Sequence, residues 1–394
     1  MIPADRRWDG MVVLCAANLY DGIKMADQHL AEQLSVLVPV LYVDPPLSPL
    51  TPLRNPETAA LLKRPRLRAL APGLARLTPV VQPGPARRGL TGWTAVLARR
   101  YLRRATARLG GDVRAVISAW PQFPVFSSCQ EDVRVYWAQD DFVGGASLLG
   151  LHARHLDVRE RAVAAGADLV IAANPLVAET WRNRHSQVRL IPYGADVSAY
   201  RAVDSAPLPG GVDLEGPIAG FVGHINRRTD LRLLEAVADR GRSVLLIGPK
   251  DPGFEPERFA ALLRRRNVRW VGPQPFRALP SYLRLVDVGL VPYGDSPFNR
   301  GSFPLKTLEY LAAGRAVVAT DLPAIRWLST DLVTVATSPR AFAEQVDLRL
   351  GEVRTPAVMA RRREFAATHS WSSRAASFHE AILGPCAQST TAGQ

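Results

Sequence analysis

Residues 291–325 read VPYGDSPFNRGSFPLKTLEYLAAGRAVVATDLPAI, and this stretch decides the fold. An apolar strand ends at Tyr293. A polar loop with Gly294, Asn299 and Gly301 follows, then a helix, then a second apolar strand from Ala316. Pro304 suits the first helical turn, where its missing N–H is no loss. Ser302 is placed to cap the helix and Gly314 to close it. Buried strands joined by a helix make a parallel unit whose ligands lie beyond the carboxyl ends of the strands. A helix N-terminus aimed there binds anions through unpaired N–H groups and the helix dipole. Lys306 and Glu309, three apart, share a face, with Tyr310 close by. A cation near the first turn opposes the dipole unless an anion sits there. Glu309, one turn deeper, could accept hydrogen bonds from a ribose diol. Diphosphate plus ribose is the handle of a nucleotide sugar. Taken alone, Lys306–Glu309 reads equally as a surface ion pair.

The same alternation runs outward in both directions. Strands are expected at 11–17, 40–44, 115–119, 133–138, 168–173 and 188–194. Helices fit near 26–37, 93–109, 157–166 and 175–184. Residues 45–56 and 72–92, rich in Pro or Gly, read as loops. After a polar break at 195–216, strands recur at 218–223, 243–248, 268–272, 288–293, 316–320 and 332–336. Helices are expected near 230–240, 256–266, 278–286, from Pro304, and near 339–349 and 372–383. The fold class is therefore α/β, with two doubly wound parallel domains facing an interdomain cleft. Their expected bounds are 1–200, a linker at 201–215, and 216–370. Residues 371–394 form a last helix and tail.

Composition narrows the function. The 394 residues are 47% apolar and carry a net charge of +13. No apolar run of about 18 residues occurs, so no spanning helix is expected. The opening MIPADRRWDGMVVLCAANLYDG reads as no signal peptide. Cys15, Cys129 and Cys386 lack metal-ligand spacing and read as buried or incidental thiols in a reducing cytoplasm. Only four of the 49 basic residues are lysines, Lys306 among them. The arginine excess reads mainly as genomic composition. From 54 to 114, however, fourteen basic residues face two acidic ones, nearly the whole net charge. Residues 93–109 form a helix with Ala95, Ala98, Leu102, Ala105 and Leu109 on one side. Arg99, Arg100, Arg103, Arg104 and Arg108 take the other. It reads as a core-packed helix with a solvated arginine face, or as contact with an anionic membrane or phosphorylated acceptor. Nucleic acid is not expected, because aromatics are few and no nucleic-acid motif accompanies the charge.

A second loop, GFVGHINRRTD (220–230), ends a strand at Gly223 and offers His224, Asn226, Arg227 and Arg228 before a helix. Arg228 could clamp a diphosphate bidentately. Arg227 or Arg228 alone reads equally as solvated surface, and His224 first as a loop histidine.

At these residues the chain resembles the retaining, nucleotide-sugar-dependent glycosyltransferases of GT-B fold, family 4 type. SFPLKTLEYLAAGRAVVATDLP (302–323) is the most specific match, and resembles a subgroup with SPLKxxEYLA-like segments. FVGHINRRTDLRLLEAV (221–237) looks like the start of that family's donor domain. VRWVGPQPFRALPSYLRL (268–285) is similar to its base-binding loop, which brings in Gln274. HSWSSRAASFHEAI (369–382) resembles a last helix that returns to the first domain. The resemblance implies catalytic roles for Arg228 and Lys306. It implies donor nucleotide and diphosphate contacts from Gly223, Arg228, Gln274, Ser302, Phe303, Pro304, Leu305, Lys306 and Glu309. The family's E-x7-E pattern is incomplete: Glu309 is the second glutamate, but Gly301 stands at the first position. Donor-sugar recognition therefore does not carry over to Gly301. A histidine common after a first-domain strand is also replaced, by Trp120-Pro121 after AVISA.

The implied reaction is transfer of a sugar from a nucleoside diphosphate to an acceptor hydroxyl, with retention and without metal. The nucleotide sugar is a co-substrate of unassigned base, and no cofactor is expected. Asp140 and Asp141, after VRVYWAQ, read as acceptor-side groups or as loop caps. Asp21, Lys24, Asp27, His29 and Asn299 are further acceptor- or sugar-side candidates, and Trp137 reads as core. The acceptor is a cell-envelope or lipid-linked glycan, or a small natural product. The expected location is the bacterial cytoplasm, with peripheral contact at the membrane's inner face. Two alternatives keep the fold: a nucleotide-sugar epimerase or hydrolase, and a non-catalytic nucleotide-binding relative.

Overall fold

The computed structural model describes residues 8–53, 55–83, 90–122, 125–148 and 150–384. Arg54, Arg87, Arg88 and Cys386 lie outside them. The chain divides into two compact units. The first gathers the chain up to Ala173, Val177–Pro192 and the end from Arg374; the second holds Asn174–Leu176 and Tyr193–Ser373.

The first unit begins β1 (Met11–Cys15), α1 (Ala26–Leu34), β2 (Val40–Val43), α2 (Ala59–Lys63), β3 (Leu67–Ala71) and β4 (Leu74–Leu77). It continues α3 (Thr91–Leu109), β5 (Val113–Ser118), β6 (Val133–Ala138), α4 (Ala153–Ala165), β7 (Leu169–Ala172), α5 (Pro175–Arg182) and β8 (Val188–Leu190). Its sheet runs β3-β4-β2-β1-β5-β6-β7-β8. All pairs are parallel except β3 with β4. These two strands correct the expected loop at 72–92 and the expected all-parallel sheet. Pro72-Gly73 is their turn: proline presets φ at the first position, and Gly73 takes φ +75° at the second. The signal was a Pro-Gly dipeptide between short runs whose alanines and arginines hide the alternation.

The second unit starts with α6 (Val197–Tyr200), inside the expected linker, then β9 (Ile218–Val222), α7 (Leu231–Asp239), β10 (Ser243–Ile247), α8 (Pro256–Leu263) and β11 (Val268–Trp270). It follows with α9 (Leu279–Leu285), β12 (Val286–Val291), α10 (Pro297–Arg300), α11 (Leu305–Ala312) and β13 (Ala316–Thr320). It closes with α12 (Pro323–Leu328), β14 (Val333–Ala336), α13 (Pro339–Leu350) and α14 (Pro356–Thr368). The final helix, α15 (Trp371–Leu383), belongs mostly to the first unit from Arg374 onward. Helices α12 and α14 lie outside the expected set.

The second sheet is wholly parallel, in the order β11-β10-β9-β12-β13-β14. The chain thus winds outward from β9 in one direction and from β12 in the other. The crevice beyond the carboxyl ends of β9 and β12 is the place where such sheets receive ligands. Each sheet packs against a buried apolar core of its own. Val13, Leu41, Val116 and Val170 build the first; Phe221, Leu246, Val288 and Val318 build the second. Trp137 is fully buried and packs edge-on against Phe378 of α15.

Candidate active site

Two loops meet at the switch point of the second sheet. One follows β9 (223–230) and the other follows β12 (292–304). The Gly294 N–H donates to the Arg228 carbonyl at 2.9 Å, and the Asp230 N–H to the Pro292 carbonyl at 2.9 Å. Asn299 completes the lacing. Its Nδ2 donates to the carbonyls of Arg228 and Gly294, at 2.9 and 2.8 Å. Its Oδ1 accepts from Arg228 Nε at 3.0 Å. Asn299 is fully buried, so its polar side chain has to be satisfied by protein groups. This corrects the expectation of a sugar-side role: Asn299 positions Arg228.

Two aromatic rings also lie beside Arg228. Its guanidinium carbon lies 4.8 Å from the Tyr293 ring centre and 4.9 Å from that of Phe298. A guanidinium near two rings and bound at Nε has restricted freedom, which favours a planar, bidentate use of its other nitrogens. Neither aromatic stands out in the sequence: Tyr293 at a strand end reads as core, and Phe298 sits in what reads as a polar loop.

Helix α11 begins at the same edge. Pro304 is its N-cap, two residues after Ser302, and a proline carries no side-chain cap. Ser302 is buried, and its carbonyl accepts from Asn174 Nδ2 at 2.7 Å. Asn174, also fully buried, tethers the turn that leads into the helix. No motif marks it in the sequence. Phe303 is buried in edge contact with Tyr193 and Trp327. Lys306 Nζ pairs with Glu309 Oε2 at 2.5 Å, as the three-residue spacing requires. Glu309 is 4% exposed and Lys306 24%. The Tyr200 hydroxyl faces Glu309 off hydrogen-bond geometry; burial, then the Glu309 charge, pushes its ionisation far up. The buried Tyr310 hydroxyl accepts from the Val222 N–H and donates to the Leu290 carbonyl, pinning α11 to β9 and β12.

The remaining donor-side candidates follow the neighbouring strands. Gly223 accepts no bulk near its carbonyl: a Cβ on Gly248, which has φ +135°, would lie 2.0 Å from that oxygen. Backbone therefore packs on backbone where β9 and β10 end. Gln274 lies beyond β11, and its Nε2 donates to the Val271 carbonyl at 2.9 Å. His224 pairs with Asp251 at 2.6 Å, and both are about half exposed. Arg227 is exposed.

The first-unit candidates divide among several roles. Asp27 is buried and accepts from the N–H groups of Ala17 and Asn18, the Asn18 amide and the Gln139 amide. Burial pushes its carboxyl pKa above the ordinary value, and these bonds oppose the rise. Its work here is to fold the loop after β1. Lys24 pairs with Glu32 at 2.7 Å. His29 is buried. Asp21 is ion-paired with arginines. Asp141 accepts from the Gly144 N–H at 2.8 Å, the loop-capping alternative, with half-buried Asp140 beside it. Cys15 and Cys129 are free thiols; burial pushes both up, Cys129 to about 11, so neither is a thiolate at neutral pH.

Residues 216–350 match the model of the family described as glycosyl transferases group 1. A Bacillus subtilis (strain 168) protein provisionally named teichuronic acid biosynthesis glycosyltransferase TuaH is 33% identical over 162 residues. That match covers 40% of this chain and 41% of the Bacillus protein, so it spans about two fifths of its length. Solved structures align with nearly the whole chain. Sucrose-phosphate synthase from Thermosynechococcus elongatus has TM-score 0.74 at 17% identity, covering 95% of this chain and 98% of its own. An Anabaena protein solved with UDP and glucose has TM-score 0.66 at 13% identity, covering 96% and 100%. At these identities the likeness speaks for the fold, and the fold is GT-B.

Proposed function

We propose that this chain is a glycosyltransferase that moves a sugar from a nucleoside diphosphate to an acceptor hydroxyl. One observation carries the reading: Arg228, bound at Nε by Asn299 and flanked by Tyr293 and Phe298, sits on the loop after β9 at the switch point of the second sheet. In this account Arg228 and Lys306 hold the diphosphate, helped by the turn 302–305. Lys306 exchanges Glu309 for phosphate when the donor binds, and the freed carboxylate takes the ribose diol. Gly223 lets the diphosphate approach the backbone, and Gln274 lies on the base side. As the bond to the sugar breaks, negative charge grows on the departing diphosphate. The fixed cations stabilise that charge, each contributing about 3 kcal/mol. Retention follows when the departing phosphate takes the acceptor proton on the face it leaves. The scheme needs neither a protein nucleophile nor a bound metal or cofactor.

The acceptor reading rests on α3. Its exposed line runs Trp93, Val96, Arg100, Arg104, with Arg103 and Arg108 flanking. Trp93 is 67% and Val96 56% exposed. Apolar residues beside arginines on one stripe suit an anionic bilayer surface, where Trp sits at the headgroups and arginine meets phosphate. We therefore favour a cytoplasmic enzyme that visits the membrane to glycosylate a lipid-linked or cell-envelope acceptor. Among the described residues no helix is long and apolar enough to cross a membrane.

A thermal-shift screen of nucleoside diphosphates and their sugars tests the donor reading, since a ligand of the folded state alone raises the melting temperature. One base should stand out. No shift with any nucleotide would overturn the reading. Binding without turnover over broad donor and acceptor panels would favour the non-catalytic relative, consistent with Gly301. Donor turnover without acceptor would favour the epimerase or hydrolase.

A further inference from the structure

The β3–β4 hairpin sets Arg68 directly opposite Arg76. Like charges at opposed positions repel, so anions must hold them there. Arg76 is fully buried, and its Nε pairs with Asp44 at 2.6 Å. Its Nη1 lies 2.7 Å from Asp21 Oδ2. Arg64 Nη1 and Arg68 Nη2 reach the same oxygen, at 3.4 and 3.9 Å. Three guanidinium groups thus converge on one oxygen of one carboxylate. That carboxylate is 45% exposed, on the loop after β1.

The donors outnumber the acceptors. Arg76 Nη2 and Arg68 Nε and Nη2 are buried without a hydrogen-bond partner, and Arg76 Nη1 meets Asp21 off hydrogen-bond geometry. Unpaired buried donors of this kind are expensive in a fold and mark a group still to arrive. The cluster lies at the carboxyl end of its sheet. Asp44 follows β2, and Thr78, which donates to Asp44 at 2.5 Å, follows β4. Asp44 also lines an otherwise apolar pocket with Val43, Pro46, Leu102 and Trp120.

We propose that Arg64, Arg68 and Arg76 form an oxyanion site for a dianionic phosphate group, closed in this structure by the Asp21 side chain. The charge count selects the ligand. With Asp21 turned out, three cations face Asp44 alone and leave two positive charges, which match a phosphomonoester. A single carboxylate leaves one charge and several donors unmet, as Asp21 does now. The loop itself need not move. The Tyr20 N–H stays on Asp44 at 2.9 Å, and only the next side chain turns away. The adjoining pocket takes the organic part of the ligand. Resting on the transferase reading, that ligand is a phosphorylated acceptor.

The test is calorimetric titration of inorganic phosphate into the full chain carrying Arg228→Ala and Lys306→Ala, so that no phosphate is held in the second unit. Phosphate should bind. Asp21→Asn should tighten it at least tenfold, and adding Arg68→Gln should weaken it at least tenfold. Acetate should bind at least tenfold more weakly than phosphate. Arg64→Gln, at an exposed site, gives a second variant should Arg68→Gln fail to fold. An unchanged affinity in Asp21→Asn, or equal binding of acetate and phosphate, would overturn the site. Nucleotide binding measured with Arg228 and Lys306 intact reports separately on the donor reading.

Discussion

At the residue scale the account turns on Arg228. A guanidinium beside Tyr293 and Phe298 and fixed at Nε by Asn299 is not replaceable by an ammonium of equal charge. Arg228→Lys should weaken nucleoside diphosphate binding about tenfold, or roughly 1.4 kcal/mol. Arg228→Ala should lower kcat/KM about a hundredfold, near 3 kcal/mol, in steady-state assays. Asn299→Ala orphans the Gly294 carbonyl and the Arg228 Nε, and leaves the Arg228 carbonyl with the Gly294 N–H alone. It should cost about 2–3 kcal/mol in denaturant unfolding and weaken nucleotide binding without touching the ligand. Arg228, Lys306 and Glu309 stand out as candidates in the sequence through their strand–loop–helix setting and the family resemblance, although each taken alone reads equally as surface charge. The role of Asn299 does not show there, since an amide that faces a sugar and one that laces two loops look identical until burial is known.

Glu160 carries a pH signature of its own. It is buried on α4, and the Tyr136 hydroxyl donates to it at 2.6 Å. Burial pushes its carboxyl up to about 7, against an ordinary value of 4.5. Between these values the folded protein holds a proton that the unfolded chain has released, so stability falls as pH rises from about 4.5 to 7. Glu160→Gln keeps an acceptor for Tyr136 and removes the titration. Its melting temperature should vary less with pH than wild type and exceed it at pH 8. A parallel pH dependence in the two proteins would contradict this.

At the element scale, alternation of apolar runs with helical patterns was enough to locate most strands. Elements with neither signal escaped. The β3–β4 hairpin has a Pro-Gly turn but arginines and alanines where alternation should show. PAVMARRREFAAT, which forms α14, presents no apolar stripe to read. The close approach of β9 and β10 is likewise invisible in sequence. Gly248→Ala would drive a methyl to 2.0 Å from the Gly223 carbonyl. It should lower the melting temperature by several degrees, as a cost of about 1–3 kcal/mol would. It should also weaken nucleotide binding by displacing the loop that bears Arg228. On α3, Trp93→Ser with Val96→Ser should reduce sedimentation with anionic vesicles while leaving the fold intact. Added salt should reduce it further, and equal sedimentation of variant and wild type would remove the membrane role.

At the scale of the whole molecule, charge and chemistry separate. Nearly all of the net positive charge falls between residues 54 and 114, in the first unit, where an anionic acceptor or surface is read. The proposed donor site needs only a few charged residues, in the second unit, where sheet order alone locates the crevice. Global basicity was therefore a poor guide, and the local βαβ unit a good one. The most direct measurement is calorimetric titration of the best-binding nucleoside diphosphate into wild type, Arg228→Ala, Lys306→Ala and Glu309→Ala. The account predicts one site on wild type, at least tenfold weaker binding in the first two, and a loss in the third that disappears when the ribose is removed from the ligand. Unchanged affinity in all three variants would contradict it.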